Sequence, residues 1–437
     1  MKSRKIVLYI VLLSSFGYAN ILSLTDAYKL ALKHSKELKA SEYQIEANKE
    51  QLNQAKAQLY PQIYMSAGYG KKEYDGTGTG RLSSYSISFN ESIYDASKIN
   101  RVDITKSKIK LDNLKIEFQR QELAQRVFKI YMEILKSKNK IELYKAYINA
   151  KEKRVELLSK KLQLSLGTKT DLLQGQVAYH FSKMDLKREK KLVRINKLKL
   201  RHLTGINSIE LPTINFNMIT DEVISKMREA IENSNRNFIS NLQLEQSKMN
   251  LDLSAKEIKQ AKSAHLPTIS LNAQYSKINA DAKVSSLENT KSIMLQIQIP
   301  IYQGGAVESK IAESKLSYNS AKESLLQVED EIKEDYEENL ATFDASSKSL
   351  TLYLESLNSA KAYLNSIEQS FNAGLKSSLD LNDAKSKLYE VKYRFIENIY
   401  DMIDAYINLL IITNNFEHLK LVDNIIAVNR ENIDLVF

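Results

Sequence analysis

The sequence predicts an α+β membrane protein. Long α-helical coiled coils are joined to a transmembrane β-barrel that several copies share, each chain giving four strands. Three observations predict it. Helix breakers are scarce, with 12 glycines and 4 prolines in 437 residues. Four short segments alternate apolar and polar residues, and the whole pattern occurs twice along the chain.

The chain opens MKSRKIVLYIVLLSSFGYAN, where Lys2, Arg4 and Lys5 precede an apolar run from Ile6 to Phe16 and small residues near Ala19. That is the layout of a secretory signal peptide over 1–19, and the run is too short to span a bilayer core of ~30 Å. Cleavage after Ala19 would remove those three cations and lower the formal net charge from +10 to +7. Basic residues are spread rather than clustered with aromatics, so no nucleic-acid partner is expected. Without cysteine there can be no disulfide, thiolate metal site or lipidated N-terminal cysteine. No later run approaches ~18 consecutive apolar residues, so entry into a membrane must be as strands of a closed barrel.

Neither glycine nor proline occurs from Arg81 to Leu166 or from Ala306 to Ala373. About 70 helical residues extend ~105 Å at ~1.5 Å per residue, a length suited to coiled coils. In the second long helix Leu340, Phe343, Leu350, Leu354, Leu357, Leu364, Ile367 and Phe371 recur mostly at threes and fours, close to a heptad seam. The first long helix carries Leu111, Leu114, Phe118, Leu123, Val127, Ile130 and Ile134, with a shift of register midway.

Strands are expected at about 62–72, 83–93, 268–278 and 292–301, where Ile63, Met65, Ala67 and Tyr69, for example, alternate with Gln62, Tyr64, Ser66 and Gly68. A soluble antiparallel sheet also alternates, but four such segments in an exported chain favour the membrane. The turns EYDGTGTGR and NADAKVSSLENTK are polar, and Pro61, Pro267 and Pro300 mark changes between strand and helix. Four strands cannot enclose a lumen. Two copies would give eight strands around a filled interior, and three would give twelve around an open channel.

QAKAQLYPQIYMSAGYGKK from Gln54 matches QAKSAHLPTISLNAQYSK from Gln260, Ile93-Tyr94 matches Ile301-Tyr302, and Asp171 aligns with Asp380. The plan is a first repeat over 20–205, a linker over 206–220, a second repeat over 221–420 and a tail over 421–437. Each repeat contains one interruption of its long helix, LQLSLGTKTDLLQGQ and FNAGLKSSLDLNDAK. Gly374 can take the left-handed conformation that ends a helix, and Ser377 with Asp380 reads as a capping box that starts the next. Thr168 and Asp171 repeat that spacing. Asp383 is unlike the others: a cap does not need it, its counterpart is Gln174, and it shares a helix face with Asp380. A solvated acidic face is the simplest account of that pair. The five histidines show no ligand spacing, and no nucleophile elbow, phosphate loop or acid/base pair is present. Neither enzymatic activity nor a metal or other cofactor is therefore expected.

The duplicated plan, the junctions from Ala55 to Ile63 and from Ala261 to Ile269, Ile-Tyr after each second strand, GTKTDLL at 167–173 and FNAGLKSSLDLNDA at 371–384 resemble the TolC family of outer-membrane efflux proteins. The resemblance covers almost the whole mature chain. It implies a homotrimer with a twelve-stranded barrel in outer-membrane lipid and an α-helical barrel crossing the periplasm. It implies a passive exit duct, opened by a periplasmic adaptor (membrane fusion) protein and an inner-membrane transporter. Asp380 and Asp383 would ring the narrow end, and such rings favour cations. Thr170 and Asp171 would latch to Lys376 on a neighbouring coil. The latch is expected to be weak, because Phe371 replaces a tyrosine and Lys376 an arginine, whose bidentate fork lysine lacks. Leu166, Gly167, Gly374 and Leu375 at the tips would meet the adaptor. The competing reading is a periplasmic coiled-coil scaffold without a pore, distinguishable by fractionation.

Overall fold

The two halves of the chain lay down the same elements in the same order. The computed structural model describes residues 22–74, 78–208, 210–234, 240–280 and 289–426. The expected signal peptide, the outermost parts of both polar turns and the tail beyond 426 lie outside the described residues. The first half runs α1 (Leu24–His34), α2 (Lys36–Ala57), β1 (Gln62–Tyr74), β2 (Gly78–Tyr94), α3 (Ala96–Gln163) and α4 (Lys169–Thr204). The second runs α5 (Asp221–Asn233), α6 (Leu242–Ser263), β3 (Thr268–Ala280), β4 (Thr290–Gln298), α7 (Ala306–Asn372) and α8 (Ser378–Ile412), followed by α9 (Leu419–Ile426).

Most of these helices start at a side chain that can accept from a free backbone N–H. Ser23, Ser35, Thr220 and Asn241 cap α1, α2, α5 and α6, and Asp95 caps α3 by accepting from the N–H of Ser97 and Lys98 at 2.9 and 3.2 Å. Helix α4 ends on Gly205, which is left-handed at φ 74°, where a Cβ would lie 2.6 Å from His34 Nδ1. Only glycine fits there.

The main core sits midway along the long helices. Phe128, Tyr131, Met132 and Ile134 of α3 pack with Ile396, Ile399, Tyr400, Ile403 and Tyr406 of α8. Leu24 of α1, Met227 of α5 and Val422 of α9 close the cluster, so the short helices wrap the long ones at this level. Full burial of each such side chain contributes about 1.5–3 kcal/mol. Away from this level the coils hold together by narrow seams. In α7, Tyr336, Phe343, Leu350 and Leu357 follow one another at heptad spacing and are buried. Leu354 and Phe371, expected in that seam, are exposed. Leu354 lies off the buried heptad positions, and Phe371 stands in the last turn before the hairpin. In α3, Leu114 and Phe118 are half-buried and Ile116 is buried instead, because Leu114 lines an open cleft between α3 and α6.

The four strands form one antiparallel sheet in the order β1-β2-β3-β4, so β2 and β3 join the repeats. The register keeps the two faces distinct. Ile63 lies opposite Phe89, Met65 opposite Ile87, Leu271 opposite Leu295 and Ala273 opposite Ile293. On the other face Ser66 lies opposite Ser86 with their hydroxyls 2.7 Å apart, and Asn90 lies opposite Asn272. Strand β4 ends at Gln298, short of the expected 301, because Pro300 lacks a ladder N–H. Within the chain β1 and β4 are edges with unpaired backbone on one side. The apolar face carries exposed Ile63, Met65, Ile293, Leu295 and Ile297 with no protein over them. No helix among the described residues is long and apolar enough to cross a membrane.

Candidate functional site

The helical hairpin tips lie at the far end of the coils from the sheet. Helices α3 and α4 form one hairpin and α7 and α8 the other, and α3 packs against α8. The order across the protomer is therefore α4, α3, α8, α7, with α4 and α7 on its flanks.

Both hairpins turn by the same backbone device. After α3, Ser165 donates to the Leu162 carbonyl at 3.0 Å and Leu166 to the Lys161 carbonyl at 2.8 Å. After α7, Gly374 donates to Phe371 at 3.0 Å and Leu375 to Ser370 at 2.8 Å. These are two Schellman closures, and each needs a left-handed residue at its centre. Gly374 supplies it at φ 75° and Ser165 at φ 59°. The serine shows that the turn is imposed by the hairpin and not by glycine alone.

The next helices start as their spacing predicts. The Ser377 N–H and hydroxyl both donate to Asp380 Oδ2 at 2.8 Å, and the Asp380 N–H donates to Ser377 Oγ at 3.2 Å. These bonds, from the backbone first and then the hydroxyl, hold the exposed Asp380 carboxyl below its ordinary range. In the first repeat the Asp171 N–H donates to Thr168 Oγ1 at 3.1 Å, and that hydroxyl donates to Asp171 Oδ2 at 2.7 Å.

Asp383 makes a contact that its sequence neighbours give no hint of. Arg154 Nη1 on α3 donates to Asp383 Oδ1 on α8 at 2.7 Å. The guanidinium is largely sheltered, at 22% exposure, while the carboxylate remains 60% exposed. Close by, Lys151 donates to Ser386 Oγ at 3.0 Å and lies over the Tyr147 ring, which meets Tyr389 edge-on at 5.3 Å. Asp383 is thus a tie between the two hairpins as well as a surface carboxylate. The partners are 229 positions apart, beyond the reach of helical spacing. Gly175 is a second residue whose role the spacing does not single out. A Cβ there would approach Leu158 Cδ1 at 2.9 Å, so the residue lets α3 and α4 close together. Its visible signal was a glycine inside a helix of a glycine-poor chain.

The structure does not bring Thr170, Asp171 and Lys376 together. Among the described residues no hydrogen bond or ion pair joins them. Thr170 and Asp171 start α4 on one flank, and Lys376 lies between α7 and α8 toward the other. Leu166 and Leu375 are 74% and 79% exposed, Gly167 lies between Leu166 and the Thr168 cap, and Gly374 is left-handed beside Leu375. Among the described residues no group of three or more His, Asp or Glu is placed to hold a metal ion.

The family model described as outer membrane efflux protein matches residues 27–206 and 235–415, one repeat each. An outer membrane protein TolC of Salmonella enteritidis is 23% identical, over 94% of this chain and 86% of that one. A proteases secretion protein PrtF of Dickeya chrysanthemi is 21% identical over 94% and 92%. The crystal structure of the outer membrane protein VceC of Vibrio cholerae superposes with a TM-score of 0.74 at 16% identity, covering 89% of this chain and 95% of that one.

Proposed function

The chain belongs to the outer membrane efflux protein family, and from that premise we propose how its parts work as a duct. It is an outer-membrane channel protein with its helical part in the periplasm, serving as an exit duct for efflux or type I secretion. The scaffold reading is set aside, since its relatives are channel proteins of the outer membrane. The observation that carries the proposal is the sheet. It has one apolar and one polar face, both exposed, and two unpaired edges. Edge β4 of one copy pairs with edge β1 of the next, and three copies close a barrel with its polar face inward. The α4 and α7 flanks meet in the same way and close the helical barrel below.

The duct is passive, with no catalytic chemistry of its own. At its periplasmic end Asp380 and Asp383 form an acidic ring facing water. Thr170 and Asp171 of one copy latch toward Lys376 of the next. The adaptor binds the exposed Leu166, Gly167, Gly374 and Leu375, and the inner-membrane transporter supplies the energy.

Conductance in planar bilayers tests this, with wild type against the double variant Asp380→Asn, Asp383→Asn. Asparagine can still accept from Ser377, so the cap survives. Small cation-preferring openings that lose their preference in the variant are expected. Unchanged selectivity would return the two carboxylates to capping and to the Arg154 tie. Folded protein that never conducts would remove the duct reading.

A further inference from the structure

On the apolar face the strands carry two parallel diagonals near the end farthest from the helices. The first is aromatic. Tyr69 lies opposite Ser83, and Tyr85 stands two residues nearer the helices on β2. Tyr85 in turn lies opposite Lys277, and Tyr275 stands two residues nearer the helices on β3. The second diagonal runs one outward-facing step above the first. It passes through Lys71 on β1, Ser83 on β2, Lys277 on β3 and Lys291 on β4 with the same displacement at each strand.

Strands of a closed barrel are tilted, so a line of constant height crosses them diagonally. A step of about two residues per strand, at ~3.4 Å along and ~4.8 Å across, corresponds to a tilt of about 55°. Barrel strands usually tilt by about 35–45°, so both diagonals run as shallow slopes close to the barrel's circumference. The lower ring is tyrosine on β1, β2 and β3 and Ile293 on β4, at the edge of the apolar band, as expected at a membrane–water interface. The upper ring is basic and stands where lipid headgroups lie. Lys71, Lys277 and Lys291 are all exposed, and the Lys291 ammonium lies 5.7 Å from the centre of the Tyr275 ring. Arg81 lies opposite Lys71. Among the described side chains of this face no carboxylate falls on the row.

We infer that Lys71, Lys277 and Lys291 form a binding row for phosphorylated lipid headgroups of the outer leaflet. The chemistry fits. The tyrosines set the depth of the acyl chains, and three ammonium groups per chain meet phosphate oxygens just above, where attraction to an anionic leaflet is least screened. The face continues the surface already given to lipid, so the occupant is lipid. The inference rests on the sheet spanning the outer membrane and does not depend on the gate.

Native mass spectrometry of the detergent-purified assembly tests it, titrating diphosphorylated lipid A, phosphatidylcholine and inorganic phosphate separately. Each lysine near an anionic surface contributes about fivefold, so the triple variant Lys71→Gln, Lys277→Gln, Lys291→Gln should lose on the order of a hundredfold in lipid A affinity. The triple Lys→Arg variant should keep it. Should the glutamine variant fail to assemble, wild-type lipid A binding must still weaken as salt rises from about 0.05 to 0.5 M. The inference is overturned by undiminished binding in the glutamine variant, by equal retention of phosphatidylcholine, by displacement of lipid A by comparable free phosphate, or by salt-independent binding. Conductance is measured separately, so a silent channel that still binds lipid A would remove the duct and leave the row.

Discussion

The two hairpin turns differ at one informative position, and exchanging the difference should move their stabilities in opposite directions. Gly374 and Ser165 both hold the left-handed conformation at the centre of a Schellman closure. A side chain in that conformation costs roughly 1–2 kcal/mol, and replacing glycine stiffens the unfolded chain by somewhat less, which leaves a net of about 1 kcal/mol. A Cβ on Gly374 would meet nothing within 4 Å, so no packing change complicates Gly374→Ala. Ser165 is exposed and its side chain makes no hydrogen bond among the described residues, so Ser165→Gly removes only the strain. About 1 kcal/mol is roughly fivefold in the local opening constant. Hydrogen exchange should report it at the amides of Leu375 and Leu166, whose bonds close the turns at 2.8 Å. Gly374→Ala should speed exchange at Leu375 about fivefold, and Ser165→Gly should slow it at Leu166 by a similar factor. Amides of the core near Tyr400 and Ile403 should not change. Slower exchange after Gly374→Ala, or faster exchange after Ser165→Gly, would refute the conformational argument.

Two further outcomes follow from packing and burial. Gly175→Ala should be tolerated, because only the end of the Leu158 side chain must move, whereas Gly175→Leu should cost about 1–3 kcal/mol by thermal unfolding. Burial, ahead of the opposing pull of Lys136, pushes the Asp404 carboxyl up to about 7. The folded state then binds more protons than the unfolded one between pH of about 4 and 7, so stability falls as pH rises through that window. Asp404→Asn should match wild type in thermal unfolding near pH 4 and exceed it at pH 8 by up to ~4 kcal/mol. A constant difference at both pH values would rule the buried carboxylate out as the cause.

The fold was legible because its signals are local. Apart from Gly175, glycine and proline are missing where the helices run, present where they turn, and the alternation at Ile63, Met65, Ile87 and Phe89 reappears as one face of the sheet. The helix starts were legible for the same reason: Ser377 and Asp380 are one turn apart, and a cap acts over one turn. What stayed hidden depends on neighbours distant in sequence. Leu354 looks like a seam residue by spacing, but the packing partners in space decide its exposure. Arg154 looks like any surface cation on a charged helix until α8 is laid beside α3.

The duplication also shows where the two hairpins are held firmly and where they are not. The Arg154–Asp383 tie joins α3 to α8 inside the protomer. In the repeat alignment Arg154 corresponds to Tyr363 and Asp383 to Gln174, so the equivalent junction between α7 and α4 has no charged pair at those positions. In the proposed ring that second junction would lie between copies, because α4 and α7 are the flanks of the protomer. Once the copies close into the proposed ring, the two kinds of seam alternate around it. One carries a charge-assisted bond from a sheltered guanidinium, and such bonds are about twice as strong as neutral ones. The other would rest on the proposed Lys376 latch, without the fork that arginine would provide. A partner pulling on Leu166 and Leu375, as proposed, should therefore separate copies from one another before it separates the hairpins within a copy. On that proposal, opening should move the two hairpins of each copy as one body, with the Arg154–Asp383 tie kept.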